Sequence, residues 1–150
     1  VGNNTFQVLV VEDNFTDARF VLDALKETIF DAVWVRRISE AVEYLSSGDH
    51  QTHAVLLDIG LPDSQGLGVV GEICKFGVPV IVMSGLLDDA MSLEVVEIGA
   101  QDAIKKGTVT KDVLARILHY SLIRFLNDKT NRIHEKLDNI EGLLQCLRTG

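Results

Sequence analysis

Several apolar runs in this chain end on side chains that can do chemistry. Val8-Leu9-Val10-Val11 ends on Glu12 and Asp13, Ala54-Val55-Leu56-Leu57 ends on Asp58, and Val80-Ile81-Val82-Met83 ends on Ser84. The short run Ala103-Ile104 is followed at once by Lys105 and Lys106. If these runs are strands of one sheet, three carboxylates, a hydroxyl and an ammonium converge at a single mouth. Clustered carboxylates repel, so either one takes up a proton or a cation sits between them. No His or Cys stands among them, and hard oxygen donors favour Mg2+ over a transition metal. A carboxylate beside Mg2+, an ammonium and a hydroxyl is a fit receptor for a phosphoryl group, which it takes as an acyl phosphate.

The elements that must position these residues follow from the same runs. Phe6 to Val11 reads as the first strand, with a helix from Thr16 to Thr28 capped by Asn14 or Thr16. Ala32 to Val35 is the second strand, and Ser39 is expected to cap the short helix after it. The run ending at Leu57 is the third strand, buried on both faces. A helix is expected over Gly66 to Phe76, a strand over Val80 to Met83, a helix over Asp88 to Ile98, and a short strand at Ala103-Ile104. Thr108 or Thr110 caps a long final helix. Five strand–helix repeats predict an α/β fold, a doubly wound five-stranded parallel sheet of order 2-1-3-4-5 (flavodoxin-like), with an extended C-terminal helix. In that order strands one and three are neighbours, and the crevice at their carboxyl ends is where ligands bind.

Two other occupants of such a crevice are disfavoured by its residues. A nucleotide site needs a glycine-rich turn after the first strand; here the turn is Glu12-Asp13-Asn14-Phe15. A phosphatase of the haloacid-dehalogenase type carries a second Asp two residues after its nucleophile; here that residue is Gly60.

Composition sets further bounds. The 150 residues are 47% hydrophobic and 24% charged, enough for one packed domain. A formal charge of −8 argues against direct nucleic-acid binding. No stretch approaches 18 apolar residues, so no membrane span is expected. Val1-Gly2-Asn3-Asn4-Thr5 has neither a basic region nor an apolar core, which reads as a cytoplasmic chain without an export signal. Cys74 and Cys146 form no metal or redox spacing and read as reduced thiols.

Four segments together resemble the receiver domain of bacterial two-component response regulators. They are Val10-Val11-Glu12-Asp13-Asn14, Leu56 through Asp63, Pro79 through Gly85, and Gly99 through Lys106. The resemblance covers about residues 6 to 125. It implies that Asp58 is the phosphorylated aspartate and that Mg2+ is held by Asp13 and Asp58 directly, Glu12 through water and the backbone carbonyl of Gly60. It implies Ser84 as the switch hydroxyl and Lys106, rather than Lys105, as the ion-pairing lysine. The donor would be a phospho-histidine on a sensor histidine kinase or phosphotransfer protein. The chain would then be no conventional enzyme, catalysing only its own phosphorylation and dephosphorylation. Two positions depart from the family's pattern. Ala103 replaces a frequent aromatic that changes rotamer on activation, and Gly107 replaces a frequent proline.

The last helix runs past the expected end of a receiver. Ile123, Leu126, Thr130, Ile133, Leu137, Ile140, Leu144 and Leu147 fall at alternating three- and four-residue steps, a heptad a/d series. The expected division is a receiver over 1–126 and a helical extension over 127–150, a coiled-coil linker or homodimerisation helix. In a parallel pair Lys136 faces Glu141 of the second copy. A helix folded back on its own domain is the competing arrangement, and Gly142 should weaken the distal end. His134-Glu135 resembles the phosphorylatable site of a histidine kinase but lacks that family's proline pattern. The rival functions are a constitutive scaffold acting through the coiled coil and a Mg2+-dependent phosphohydrolase.

Overall fold

The computed structural model describes residues 5–64 and 66–149. The N-terminal segment read for an export signal falls, apart from Thr5, outside the described residues, as do Gln65 and Gly150. The elements alternate as the sequence predicts: β1 (Phe6–Val11), α1 (Phe15–Leu25), β2 (Phe30–Val35), α2 (Ile38–Ser46), β3 (Ala54–Leu57), α3 (Gly68–Cys74), β4 (Val80–Ser84), α4 (Asp89–Ile98), β5 (Asp102–Lys105) and α5 (Lys111–Thr149). The strands form one parallel sheet in the order β2-β1-β3-β4-β5.

The two faces of the sheet explain its apolar runs. Successive strand residues point to opposite faces. Leu9, Val11, Val55, Leu57, Val80 and Val82 pack with α2, α3 and α4 residues such as Ala41, Val70, Ile73 and Val95. Val8, Val10, Leu56, Ile81, Met83 and Ile104 pack with Val21 and Leu25 of α1 and with Leu114, Leu118 and Leu122 of α5. Because helices cover both faces, β3 and β4 are buried along their whole length. That is why they read as unbroken apolar segments rather than alternating ones.

Several element ends differ from the sequence expectation. α1 stops at Leu25, not Thr28, because Glu27 takes a left-handed backbone (φ 56°) and Thr28 Oγ1 donates to Leu25 O at 2.6 Å. β2 begins two residues early, at Phe30, since it pairs with β1 from Phe6↔Phe30 onward. α3 is shorter than predicted at both ends. Asn14 caps α1 by accepting from Asp17 N, and Asp88 caps α4 by accepting from Met91 N at 2.7 Å. Gly99, at φ 140°, ends α4 in a conformation that a side chain would strain.

Ser39 does not cap α2, contrary to the sequence expectation. It lies inside the helix, and the orphan amides of Ile38 and Ser39 donate to the Asp63 carboxylate at 3.0 and 3.1 Å. The cap comes from the loop after β3, 25 residues away in sequence. α5 starts after Thr110, whose Oγ1 accepts from Val113 N at 3.4 Å. It runs unbroken for 39 residues, through Gly142, and every described residue from 126 onward is exposed. Lys129 ties its middle to the body, donating to Gly77 O at 3.2 Å and lying over the Phe125 ring.

Burial works against ionisation of Asp63, but the amides of Ile38 and Ser39 outweigh it and hold the carboxyl below its ordinary value. Asp63→Ala should therefore cost about 1 kcal/mol at neutral pH, the usual worth of a helix N-cap. A group with a depressed folded value contributes fully above its unfolded value, about 3.9, and loses that contribution as pH falls through the folded value. Urea denaturation of both proteins should show the difference at about pH 7 and its progressive loss as pH is lowered below the ordinary carboxylate value.

Candidate functional site

The register of the sheet assembles the site. β1 and β3 pair in parallel with Val11 opposite Leu57, so the residues that follow them, Glu12 and Asp58, emerge side by side. The Asp58 amide donates to Val11 O at 3.0 Å, extending the ladder one step past the strand. Both carboxylates are nearly sealed, Glu12 at 5% and Asp58 at 6% exposure. Asp13 is half-buried, and oxygens of Glu12, Asp13 and Asp58 lie within 4.8 Å of one another.

Lys106 enters the crevice from the end of β5. Its amide donates to Ser84 O at 3.1 Å, while Lys105 stays exposed on the strand. The Lys106 ammonium lies 2.6 Å from Glu12 Oε2, 2.8 Å from Asp17 Oδ2 and 3.0 Å from Asp58 Oδ2. An ammonium has three protons, so three carboxylates saturate it. Asp17 had no place in the sequence reading. The signal was present: it is the third residue of α1, in the first turn, and so faces the mouth that Asn14 opens.

The second carboxylate oxygens of Glu12 and Asp58 are held by backbone. Glu12 Oε1 accepts from Asn14 N at 3.0 Å, and Asp58 Oδ1 accepts from Gly60 N at 3.0 Å. Trp34 Nε1 donates to the Glu12 carbonyl at 2.6 Å, and Arg36 donates to the Asp13 carbonyl at 3.1 Å while lying over the Trp34 ring. Ser84 is buried at the end of β4, and its hydroxyl accepts from Leu86 N at 3.2 Å. Gly60 is exposed; a Cβ there would stand 3.5 Å from both Asp58 Oδ1 and a Leu86 methyl. Ala103 is half-buried against the α2–α4 side of the core. Gly107 turns the chain at φ 82°.

The charges do not balance. Glu12, Asp13, Asp17 and Asp58 face the single ammonium of Lys106. Burial, reinforced by the charge of Asp58, pushes the Glu12 carboxyl up to about 7, against the pull of Lys106 and the Asn14 amide. Burial alone would lower Lys106, but hydrogen bonds with Asp17, Glu12 and Asp58 outweigh it and raise the ammonium above the ordinary lysine range. A divalent cation among the three clustered carboxylates would relieve this excess. The donor set, all hard oxygen, suits Mg2+ or a similar ion. Beside Lys106 lies a largely apolar hollow of about 210 Å³, walled by Thr16, Phe20, Met83 and Val109.

A doubly wound sheet with an acidic, metal-capable mouth and an inserted lysine places a ligand crevice at the carboxyl ends of its strands. The family model of the response regulator receiver domain matches residues 8–118, and the chain belongs to that family. Among similar proteins, the transcriptional regulatory protein BaeR of Escherichia coli is 26% identical over 118 residues, covering 78% of this chain and 48% of BaeR. The autoinducer 2 sensor kinase/phosphatase LuxQ of Vibrio vulnificus is 30% identical over 118 residues, covering 76% of this chain and 13% of LuxQ. The chain thus spans at most about half the length of these curated relatives. A crystal structure of a Thermotoga maritima response regulator superposes with a TM-score of 0.70 at 24% identity, covering 79% of this chain and 98% of that one.

Removing the Lys106 ammonium should expose the electrostatic cost of the site. Lys106→Met should destabilise the metal-free protein by about 2–3 kcal/mol, below the full penalty for a sealed broken pair because Lys106 keeps some solvent contact. Urea titration without divalent ions measures this. A variant as stable as the parent would mean that the carboxylates do not depend on Lys106.

Proposed function

We propose that this chain is a phosphorylation-controlled switch in which Asp58 accepts a phosphoryl group from a phospho-histidine of a sensor histidine kinase or phosphotransfer protein. The observation that supports it most is the position of Asp58. It is sealed at the end of β3, clustered with Glu12 and Asp13 and paired with Lys106. Asp13 and Asp58 would hold Mg2+ directly, Glu12 through water, with the Gly60 carbonyl as a further ligand. When bound, the ion supplies charge neutralisation for the phosphoryl oxygens.

The chain's own residues do the rest. A carboxylate oxygen of Asp58 attacks phosphorus, the P–N bond to the donor imidazole breaks, and its electron pair stays on the leaving nitrogen. Lys106, already 3.0 Å from Asp58, is placed to follow the new charge. The Ser84 hydroxyl, which accepts from the Leu86 amide, would donate its own proton to a phosphoryl oxygen. The backbone amides of Asn14 and Gly60, in the loops after β1 and β3, fix the carboxylates, so little reorganisation accompanies transfer. Acetyl phosphate or beryllofluoride with Mg2+ tests this. A phosphoryl mass increase, or beryllofluoride binding, should appear in the parent and vanish in Asp58→Ala. Modification undiminished in that variant would exclude Asp58 as the acceptor.

The C-terminal helix supports a second component. We assign residues 1–126 to the receiver and 127–150 to a helical extension that pairs with a second copy. Ile133, Leu137, Ile140 and Leu144 form an exposed apolar seam, each about half accessible. A monomer has no use for such a stripe, whereas a parallel coiled coil buries it and sets Lys136 against Glu141 of the second copy. Light scattering should give a dimer for the parent and a monomer for Leu137→Asp. If beryllofluoride shifts that equilibrium, the helix relays the phosphorylation state. A dimer indifferent to beryllofluoride favours the constitutive scaffold. The relatives carry a similar domain in a transcriptional regulator and in a sensor kinase/phosphatase, so either output class suits the proposed switch.

A further inference from the structure

We infer that Asp17 is a positioning residue for Lys106: it holds the ammonium on the α1 side of the crevice, so that Glu12 and Asp58 can be released to a divalent cation. The inference rests on the proposed reading of the triad as a Mg2+ site and adds a residue to it.

The geometry sets up a competition. Lys106 saturates its three protons on Glu12, Asp17 and Asp58. Two of those partners, Glu12 and Asp58, belong to the metal-capable triad, and Asp17 does not. While the ammonium rests on the triad, it occupies oxygens that a cation needs. A cation arriving there also repels the ammonium. Asp17 comes from a different element, the first turn of α1, and its side chain is 40% exposed. It offers a place where Lys106 stays paired after giving up Glu12. The hollow walled by Thr16, Phe20 and Val109 adjoins that side of the ammonium and leaves it room to move.

Without Asp17, Lys106 has only the triad to pair with, and its competition with the cation sharpens. A distant negative charge would also aid cation binding, but it would do so whether or not Lys106 is present. A double-mutant cycle separates the two.

The reporter is built in. Trp34 is the only tryptophan, and its indole donates to the Glu12 carbonyl. Mg2+ titrations followed by Trp34 fluorescence should show affinity about five- to tenfold weaker in Asp17→Asn than in the parent. In the Lys106→Met background the same substitution should change affinity by less than about twofold. Asp17→Glu should restore most of the loss. In the metal-free protein, the Lys106 ammonium resonance should shift in Asp17→Asn, a readout that needs no cation. Equal weakening in both backgrounds would make Asp17 a remote charge and overturn the inference. An unchanged affinity in Asp17→Asn would do the same. A parent without any Mg2+ response would overturn the reading of the triad as a Mg2+ site and this inference with it. A responsive parent matched by its variant would overturn the inference alone.

Discussion

The constraint on which this structure depends is one ammonium held among more carboxylates than it can neutralise. Lys106 reaches Glu12, Asp17 and Asp58 together, and Asp13 stands beside them without that contact. In water such a cluster would disperse. Here Glu12 and Asp58 follow buried strands and cannot withdraw. Their burial is a standing cost, to which the charge of Asp58 adds, and the Glu12 carboxyl is pushed up as a result. Polar clusters with such a cost are more often functional than structural. The same cost makes the site responsive, because whatever adds positive charge or moves the ammonium changes the balance at once.

The sheet supplies the rigidity that the cluster needs. Packing on both faces leaves β1, β3 and β4 no freedom to slide, since a one-residue slip would turn each buried side chain to the wrong layer. The pairings Val11↔Leu57 and Ser84↔Lys105 then fix which residues emerge at the mouth. The choice between Lys105 and Lys106 follows from this alternation. Lys105 is still in the strand and points away, and the next residue turns in.

How much of this could be read beforehand depended on whether the cause was local. Buried central strands announce themselves as apolar runs, and the residues just after them stand out, so the triad and Lys106 were legible. Edge strand β2 is only partly buried, so its start at Phe30 is set by pairing with Phe6 rather than by its own composition. The cap of α2 comes from Asp63, whose role depends on the fold bringing the β3–α3 loop to that helix. Asp17 was missed for a similar reason. In sequence it is an acidic residue in a first helical turn, explained well enough by the helix dipole. Only Lys106, 89 residues later, gives it a second meaning.

The same separation of local from nonlocal causes bears on how the site connects to α5. Ala103 offers no aromatic ring to swing, so a rotamer relay along β5 has nothing to move. What remains is packing. Met83 and Ile104, the neighbours of Ser84 and Lys105, share a core with Leu114, Leu118 and Leu122 of α5. Close-packed side chains transmit displacement because they cannot absorb it. The loop between β5 and α5 is short and turns on Gly107, so Lys106 and the first turn of α5 are separated by few residues. Lys106 therefore stands on a segment that leads directly into α5. Beyond residue 125 Lys129 ties that helix to the body, and the described residues from 126 onward, its apolar seam included, are exposed.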